Sequence, residues 1–294
     1  ADKGHDVTIL EKNDSPGGRA RKFETDGFVF DMGPSWYWMP DVFEKYFERF
    51  GKSPSDYYDL KRLDPSYRVY FEDEHADIPA NFEQLQALFE AREKGAGKRL
   101  QSFLEDAAIK YEAGINDLVH RPSLSLFEFI DWKVIKGLFQ LDLFSNFKDF
   151  ARKYFSDPKL LSIIEFPVLF LGAMPKETPA LYSLMNYADL KLGTWYPMGG
   201  MHKIVEGMVA LAKEKGVKFQ FNQNVERIYK DGDMKVVTPS GTVTSDYAVG
   251  GADYAHIDQA LLDPTDRQYS AAYWESRVMA PSSLLFYVGV NKRV

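Results

Sequence analysis

The 294-residue chain carries 36 basic against 43 acidic side chains, and this net charge of −7 argues against nucleic acid as a partner, because phosphate binding needs basic patches. It contains no cysteine, which excludes disulfides, thiolate nucleophiles and Cys-ligated metals and fits a reducing, cytoplasmic setting. The 45% hydrophobic and 27% charged content is that of a folded protein of two domains, and no run of about 18 apolar residues is present to span a bilayer.

Ala1-Asp2-Lys3 reads as the tail of a helix with Gly4 in its C-terminal capping position. Residues 7 to 11 then predict a buried strand ending at Glu11, and Pro16-Gly17-Gly18-Arg19 predicts a turn close behind it. In a dinucleotide-binding fold an acid at a strand end accepts hydrogen bonds from ribose hydroxyls, since a carboxylate is acceptor-only. Two glycines allow the backbone to approach a bulky charged ligand, and Arg19 offers a fixed fork of donors. An ordinary βα unit with a polar turn has the same pattern. The glycine-rich phosphate loop of such folds stands about 20 residues before the acid. Since only ten residues precede Glu11, the chain reads as a fragment that begins inside a βαβ unit.

Residues 22 to 31 alternate as a hairpin around Asp26-Gly27, and Met32 to Pro40 form an aromatic, ordered loop. Asp41 is the expected cap of a helix ending at Gly51. Tyr67 to Phe71 and Ala76 to Pro79 pair as a second hairpin, after which the period is helical from Asn81 to about Leu192, with one long helix from Arg99 to Val119. Within this stretch residues 123 to 155 interleave a dense Leu, Phe and Trp face with basic side chains. That composition suits either a helix lying in a lipid interface or a cap packed on the protein. A helix from Met201 to Lys215 follows. Strands are expected at 218–221, 225–229, 235–238, 242–249 and 282–290. The five histidines show no metal-ligand spacing, so no metal is expected.

Ile9-Leu10-Glu11-Lys12, Pro16-Gly17-Gly18-Arg19-Ala20 and Phe28-Val29-Phe30-Asp31-Met32-Gly33-Pro34-Ser35 together resemble the FAD-dependent amine-oxidase-like superfamily. The resemblance is to its bacterial-type phytoene (carotenoid) desaturase branch. Tyr196-Pro197-Met198-Gly199-Gly200-Met201, Gly172-Ala173-Met174-Pro175, Asn224 to Ile228, Gly251-Ala252-Asp253 and Ser283 to Asn291 are similar to that branch in order and spacing. The phosphate-binding glycine loop and the C-terminal FAD motif of the branch have no counterpart here.

The resemblance implies an α/β fold: a discontinuous Rossmann-like FAD-binding domain (1–64 and 197–263) and a substrate domain of mixed sheet and helices (65–196 and 264–294). It implies that Glu11 binds the adenosine ribose, that Gly17, Gly18 and Arg19 line the pyrophosphate and ring, and that the Val225 backbone meets adenine. Gly199 and Gly200 are expected near the isoalloxazine, with Gly33, Pro34 and Ser35 shaping the same face. Asp253 is either a contact or structural. The implied reaction is desaturation of a long apolar polyene by hydride transfer to FAD, in an enzyme that docks peripherally on a membrane surface. No catalytic acid or base is selected. A polyene isomerase or saturase, an amine oxidase, and a non-catalytic lipid-binding remnant are the alternatives.

Overall fold

A computed structural model of the chain describes residues 1–116, 118–120, 145–279 and 283–292. In chain order its strands begin with β1 (Thr8–Leu10), β2 (Lys22–Thr25), β3 (Phe28–Asp31), β4 (Leu60–Arg62), β5 (Tyr67–Tyr70) and β6 (His75–Ile78). They continue with β7 (Trp195–Pro197), β8 (Lys218–Gln220), β9 (Arg227–Asp231), β10 (Asp233–Thr238) and β11 (Gly241–Ser245). The longer helices are α1 (Pro40–Glu48), α2 (Phe82–Arg92), α3 (Ala96–Asn116), α4 (Phe147–Ala151), α5 (Pro158–Glu165) and α6 (His202–Glu214).

Two compact units are present. The first is made of Ala1–Pro34, Gly200–Met279 and the segment from Ser283, and the second of Ser35–Gly199. Residues 35–64 therefore belong with the helical unit and not with the Glu11 segment as expected, because β4 pairs antiparallel with β7 and Tyr37 bridges Trp195. Residues 264–279 fall in the first unit, tied to it through Asp258. This buried carboxylate accepts from the backbone N–H of Gln268 and from Trp274 Nε1.

In the first unit β1 runs parallel to β8, pairing Thr8 with Lys218 and Leu10 with Gln220. Parallel strands need a crossover connection, and here the chain between the partners, more than 200 residues, includes Ser35–Gly199 of the second unit. β1 is more open than expected: Ile9 is 41% exposed, since β8 is its only paired neighbour among the described residues. The hairpin β2–β3 turns at Asp26 and Gly27, both at positive φ. β9, β10 and β11 form an antiparallel meander with Gly232 and Gly241 at the turns. β11 stops at Ser245, and 246–249 are irregular. Of the strand expected at 282–290, residue 282 lies outside the described residues and 283–290 do not form one. Residues 283–290 take no ladder partner among the described residues, and the segment is held instead by Tyr287 against Phe23 and Phe30.

The second unit contains the principal core. Ile78, Leu85, Phe89, Phe103, Phe150, Phe155 and Leu160 are buried together. β5–β6 alternates as a half-buried hairpin should, with Val69 turned to the core and Arg68 turned out to a paired Asp77. Side-chain caps set the helix starts: Asn81 accepts from Gln84 N–H, Asn146 from Asp149 N–H, and Asp157 from both Lys159 and Leu160 N–H. Asp41 is not the cap of α1, whose capping position is Met39 at φ 58°; its carboxylate accepts instead from the Tyr111 hydroxyl at 2.8 Å. Of the 123–155 segment, 123–144 lie outside the described residues. Phe147, Phe150 and Phe155 are buried in the core, as the packed-cap alternative requires of that part.

Candidate functional site

Open α/β sheets place ligands beyond the carboxyl ends of their parallel strands. In the first unit that edge is where β1 delivers Glu11 and β8 delivers residues 221–225. The two segments stay hydrogen-bonded past the ladder but leave its register where Asn222 turns at φ 56°, with Gln223 N–H donating to the Glu11 carbonyl and Asn222 N–H to that of Asn13, both at 2.9 Å. Val225 follows two residues on, in the extended run before β9. Glu11 Oε1 accepts from the backbone and side-chain nitrogens of Asn13, at 2.9 and 2.6 Å. Both bonds fall on one oxygen, which fixes the carboxylate and leaves Oε2 available to a hydroxyl donor.

The turn after Glu11 bends through Gly17 at φ 110° and Gly18 at φ 53° into a single 3₁₀ turn carrying Arg19. A Cβ on Gly17 would lie 3.1 Å from Val205 of α6. Gly33, at φ 120°, lies against this turn so closely that a Cβ would stand 2.8 Å from the Arg19 carbonyl. Gly18, Arg19, Gly33 and Pro34 are exposed, so the glycine cradle opens outward. Gly200 is buried at φ 121°, where a Cβ would meet the His202 ring at 2.6 Å and the Asp31 carboxylate at 2.9 Å.

That carboxylate organises the first unit, and motif reading alone passed over it. Asp31 accepts from Met201 N–H at 2.7 Å, His202 N–H at 2.9 Å and His202 Nδ1 at 2.8 Å. α6 has no side-chain cap of its own, so Asp31 supplies one from a segment 170 residues earlier. Burial raises the Asp31 carboxyl, but the hydrogen bonds from His202 and Met201 outweigh it and hold the group below its usual range. Asp253 accepts from His256 N–H at 3.1 Å, capping its own short helix while its surface stays exposed.

In the second unit Ser35 and Gly199 are both exposed. The runs that carry them meet where Tyr37 and Trp195 exchange backbone hydrogen bonds of 3.0 Å. Beside this bridge is a buried polar group. Asp189, 1% exposed on a π-helical turn (Tyr187–Leu192), accepts from the Tyr67 hydroxyl at 2.6 Å and the Thr194 hydroxyl at 3.1 Å. Thr194 in turn accepts from Trp38 Nε1 at 2.8 Å. Burial pushes the Asp189 carboxyl up to about 6 against the opposing pull of these bonds. Among the described residues no group of three His, Cys, Asp or Glu side chains is placed to hold a metal, and no helix is long and apolar enough to cross a membrane.

An acid at the end of a parallel strand, a glycine cradle against an arginine turn and a capped helix beside a buried glycine are the features by which an α/β fold can hold a dinucleotide. The residues suit the group: Glu11 offers a ribose acceptor, and Gly17, Gly33 and Gly200 stand where a Cβ would crowd the backbone or the residues around it. The chain belongs to the flavin containing amine oxidoreductase family, whose model matches residues 1–292. Membership makes FAD the cofactor. Its relatives include a carotenoid 3,4-desaturase of Haloarcula japonica, 42% identical over 99% of this chain and 60% of the relative. A zeta-carotene-forming phytoene desaturase of Myxococcus xanthus is 32% identical over 100% of this chain and 57% of the relative. The chain thus spans about 60% of the length of the curated relatives it matches. Among solved structures, a Pyrococcus furiosus protein superposes with a TM-score of 0.56 at 14% identity, covering 93% of this chain and 59% of that one, a likeness of fold.

Proposed function

We propose that the protein to which this chain belongs is an FAD-dependent carotenoid desaturase. The reaction removes a hydride from one carbon of a long acyclic polyene and a proton from its neighbour, leaving a new conjugated double bond. Bound FAD supplies the two-electron acceptor. The chain's own residues bind and orient. Glu11 holds the adenosine ribose, Gly17, Gly18 and Arg19 lie along the pyrophosphate, and the Val225 backbone meets adenine. Gly33, Pro34 and Gly200 are the first unit's residues for the isoalloxazine, and Ser35 and Gly199 are the second unit's residues assigned to the same ring. Asp31 keeps the start of α6 in place beside Gly200.

The observation that carries this reading is the convergence of Glu11 with residues 222–225 at one strand edge, beside a glycine cradle that a Cβ would obstruct. The names of the 42% and 32% identical relatives give the reaction class and favour it over isomerisation, saturation or amine oxidation. In this reading the first unit is the cofactor side and the second the substrate side. An insoluble substrate places the enzyme peripherally on the cytoplasmic membrane surface.

Expression of the full reading frame in bacteria that accumulate a colourless acyclic carotene tests the proposal. New longer-wavelength polyene bands are expected, and Glu11→Ala in an equally abundant protein should abolish them. Unchanged pigment beside a flavin-loaded protein would refute desaturation of that substrate class.

A further inference from the structure

The second unit contains an apolar recess that the cofactor site does not use. Its wall is aromatic. Tyr67 lies parallel to Trp36 with ring centroids 5.2 Å and planes 17° apart, and Phe166 meets Trp36 edge-on at 5.6 Å. Phe170 stands edge-on to Trp36 and Trp38 at 5.8 and 5.2 Å. Trp36, Tyr67 and Phe166, with Val69, Leu169 and Met174 and beside Arg68 and Glu165, line a cavity of about 490 Å³, within the usual range for small-molecule sites, and Trp38 and Phe170 back the aromatic wall. Its rim remains uncovered among the described residues, with Leu169 55%, Phe170 58% and Met174 61% exposed. The charged groups at the edge, Arg68 and Glu165, are engaged with Asp77 and Arg152, so the exposed apolar side chains are what the recess offers a ligand. The larger recess nearby, lined by Glu74, Arg92, Asp157 and Lys159, is instead a solvated ion-pair network.

Behind the aromatic wall is Asp189. The Tyr67 hydroxyl donates to one carboxylate oxygen and Thr194 to the other, while Trp38 Nε1 donates to Thr194. One wall residue, Tyr67, is therefore tethered by its hydroxyl to a buried carboxylate, and Trp38, which stands against Trp36, is held to the same group through Thr194. Burying a carboxylate costs several kcal/mol unless its bonds are well made. An apolar side chain would fill the same space without that cost but would not orient Tyr67.

We propose that this recess binds one end of a long acyclic polyisoprenoid, with Trp36, Tyr67 and Phe166 as its contact faces and Asp189 as the residue that positions Tyr67. A flat, rod-like chain of alternating single and double bonds matches parallel and edge-on aromatic faces, and it presents no polar group to a wall whose polar atoms are already engaged. The inference rests on the polyene reading above and adds where the substrate is held.

The test uses the flavin-loaded protein in its full reading frame, with the conjugated tetraene parinaric acid as fluorescent probe and KM for a micelle-dispersed acyclic carotene as second readout. Leu169→Asp and Met174→Asp change exposed side chains, so the fold is retained. Each is expected to weaken probe binding about ten-fold and to raise KM in parallel, with flavin content unchanged. Tyr67→Phe keeps the ring but loses its tether, and about three-fold weaker binding is expected. Rim variants that bind the probe and the carotene as the parent does would overturn the recess while leaving desaturation standing. A parent that oxidises no polyene would remove the functional reading itself.

Discussion

Replacing Asp31 tests the view that one carboxylate holds the start of α6. Three N–H groups converge on it, from Met201 at 2.7 Å and from the His202 backbone and ring at 2.9 and 2.8 Å. Losing a helix cap costs about 0.5–2 kcal/mol, and a hydrogen bond to a charged group about 1.5–3 kcal/mol, with strong non-additivity when they share one acceptor. Asp31→Ala should therefore destabilise by about 3–4 kcal/mol. Asp31→Asn, which retains one acceptor oxygen but aims an amide at a donor, should cost about 2 kcal/mol. The folded carboxyl titrates below its unfolded value of 3.8, so its stabilisation is complete above that value and lost as the pH falls through the folded one. The gap between the natural protein and Asp31→Asn should accordingly be constant near neutrality and shrink below about pH 4. Urea unfolding followed by circular dichroism at pH 7 and pH 3.5 measures both. A difference under about 0.5 kcal/mol at pH 7, or one that widens on acidification, would refute the capping role.

Gly33→Ala, at φ 120° with a Cβ 2.8 Å from the Arg19 carbonyl, must displace backbone and is expected to lower bound flavin about ten-fold. Gly18→Ala, at φ 53° with open space around it, should retain most of it at a cost of about 1–2 kcal/mol. The flavin-to-protein absorbance ratio of the two purified variants decides this, and equal losses would show that the close approach is unimportant. Asp189 behaves oppositely to Asp31. Its folded value of about 6 is above the unfolded 3.8, so its contribution is full below the unfolded value and is lost as the pH rises through the folded one. Relative to Asp189→Asn, the natural protein should lose roughly 3 kcal/mol of stability between pH 4 and 7. Parallel stability curves for the two proteins would contradict a buried, raised carboxyl.

Much of the scaffold was legible because its determinants are local. Asp26-Gly27, the Asn81 cap and Gly216 after α6 each act within a few residues, and the structure has the turn, the helix start and the helix end where these residues imply. The ordered glycine motifs also indicated the family. What was missed depends on distant pairing. Asp31 finds its donors 170 residues away, and nothing in its neighbourhood marks it as the cap of another segment. β4 joins the helical unit by pairing with β7, more than 130 residues on, so no composition change at residue 34 announces the break between units. Residues 283–290 have β composition, yet a strand requires a ladder partner, and here aromatic packing on Phe23 and Phe30 holds the segment instead. Asp189 looked like one more acid in a helical stretch, because burial and a π-turn leave no pattern in sequence.

An anaerobic single turnover reads the coupling of flavin reduction to polyene oxidation. Flavin-loaded protein in its full reading frame is mixed with a micelle-dispersed acyclic carotene while flavin and polyene absorbance are recorded together. The visible band of oxidised flavin is expected to bleach in step with a new longer-wavelength polyene band, one flavin reduced for each double bond formed. A polyene spectrum that shifts while the flavin remains oxidised, or a flavin and a polyene that both stay unchanged, would contradict flavin-dependent desaturation.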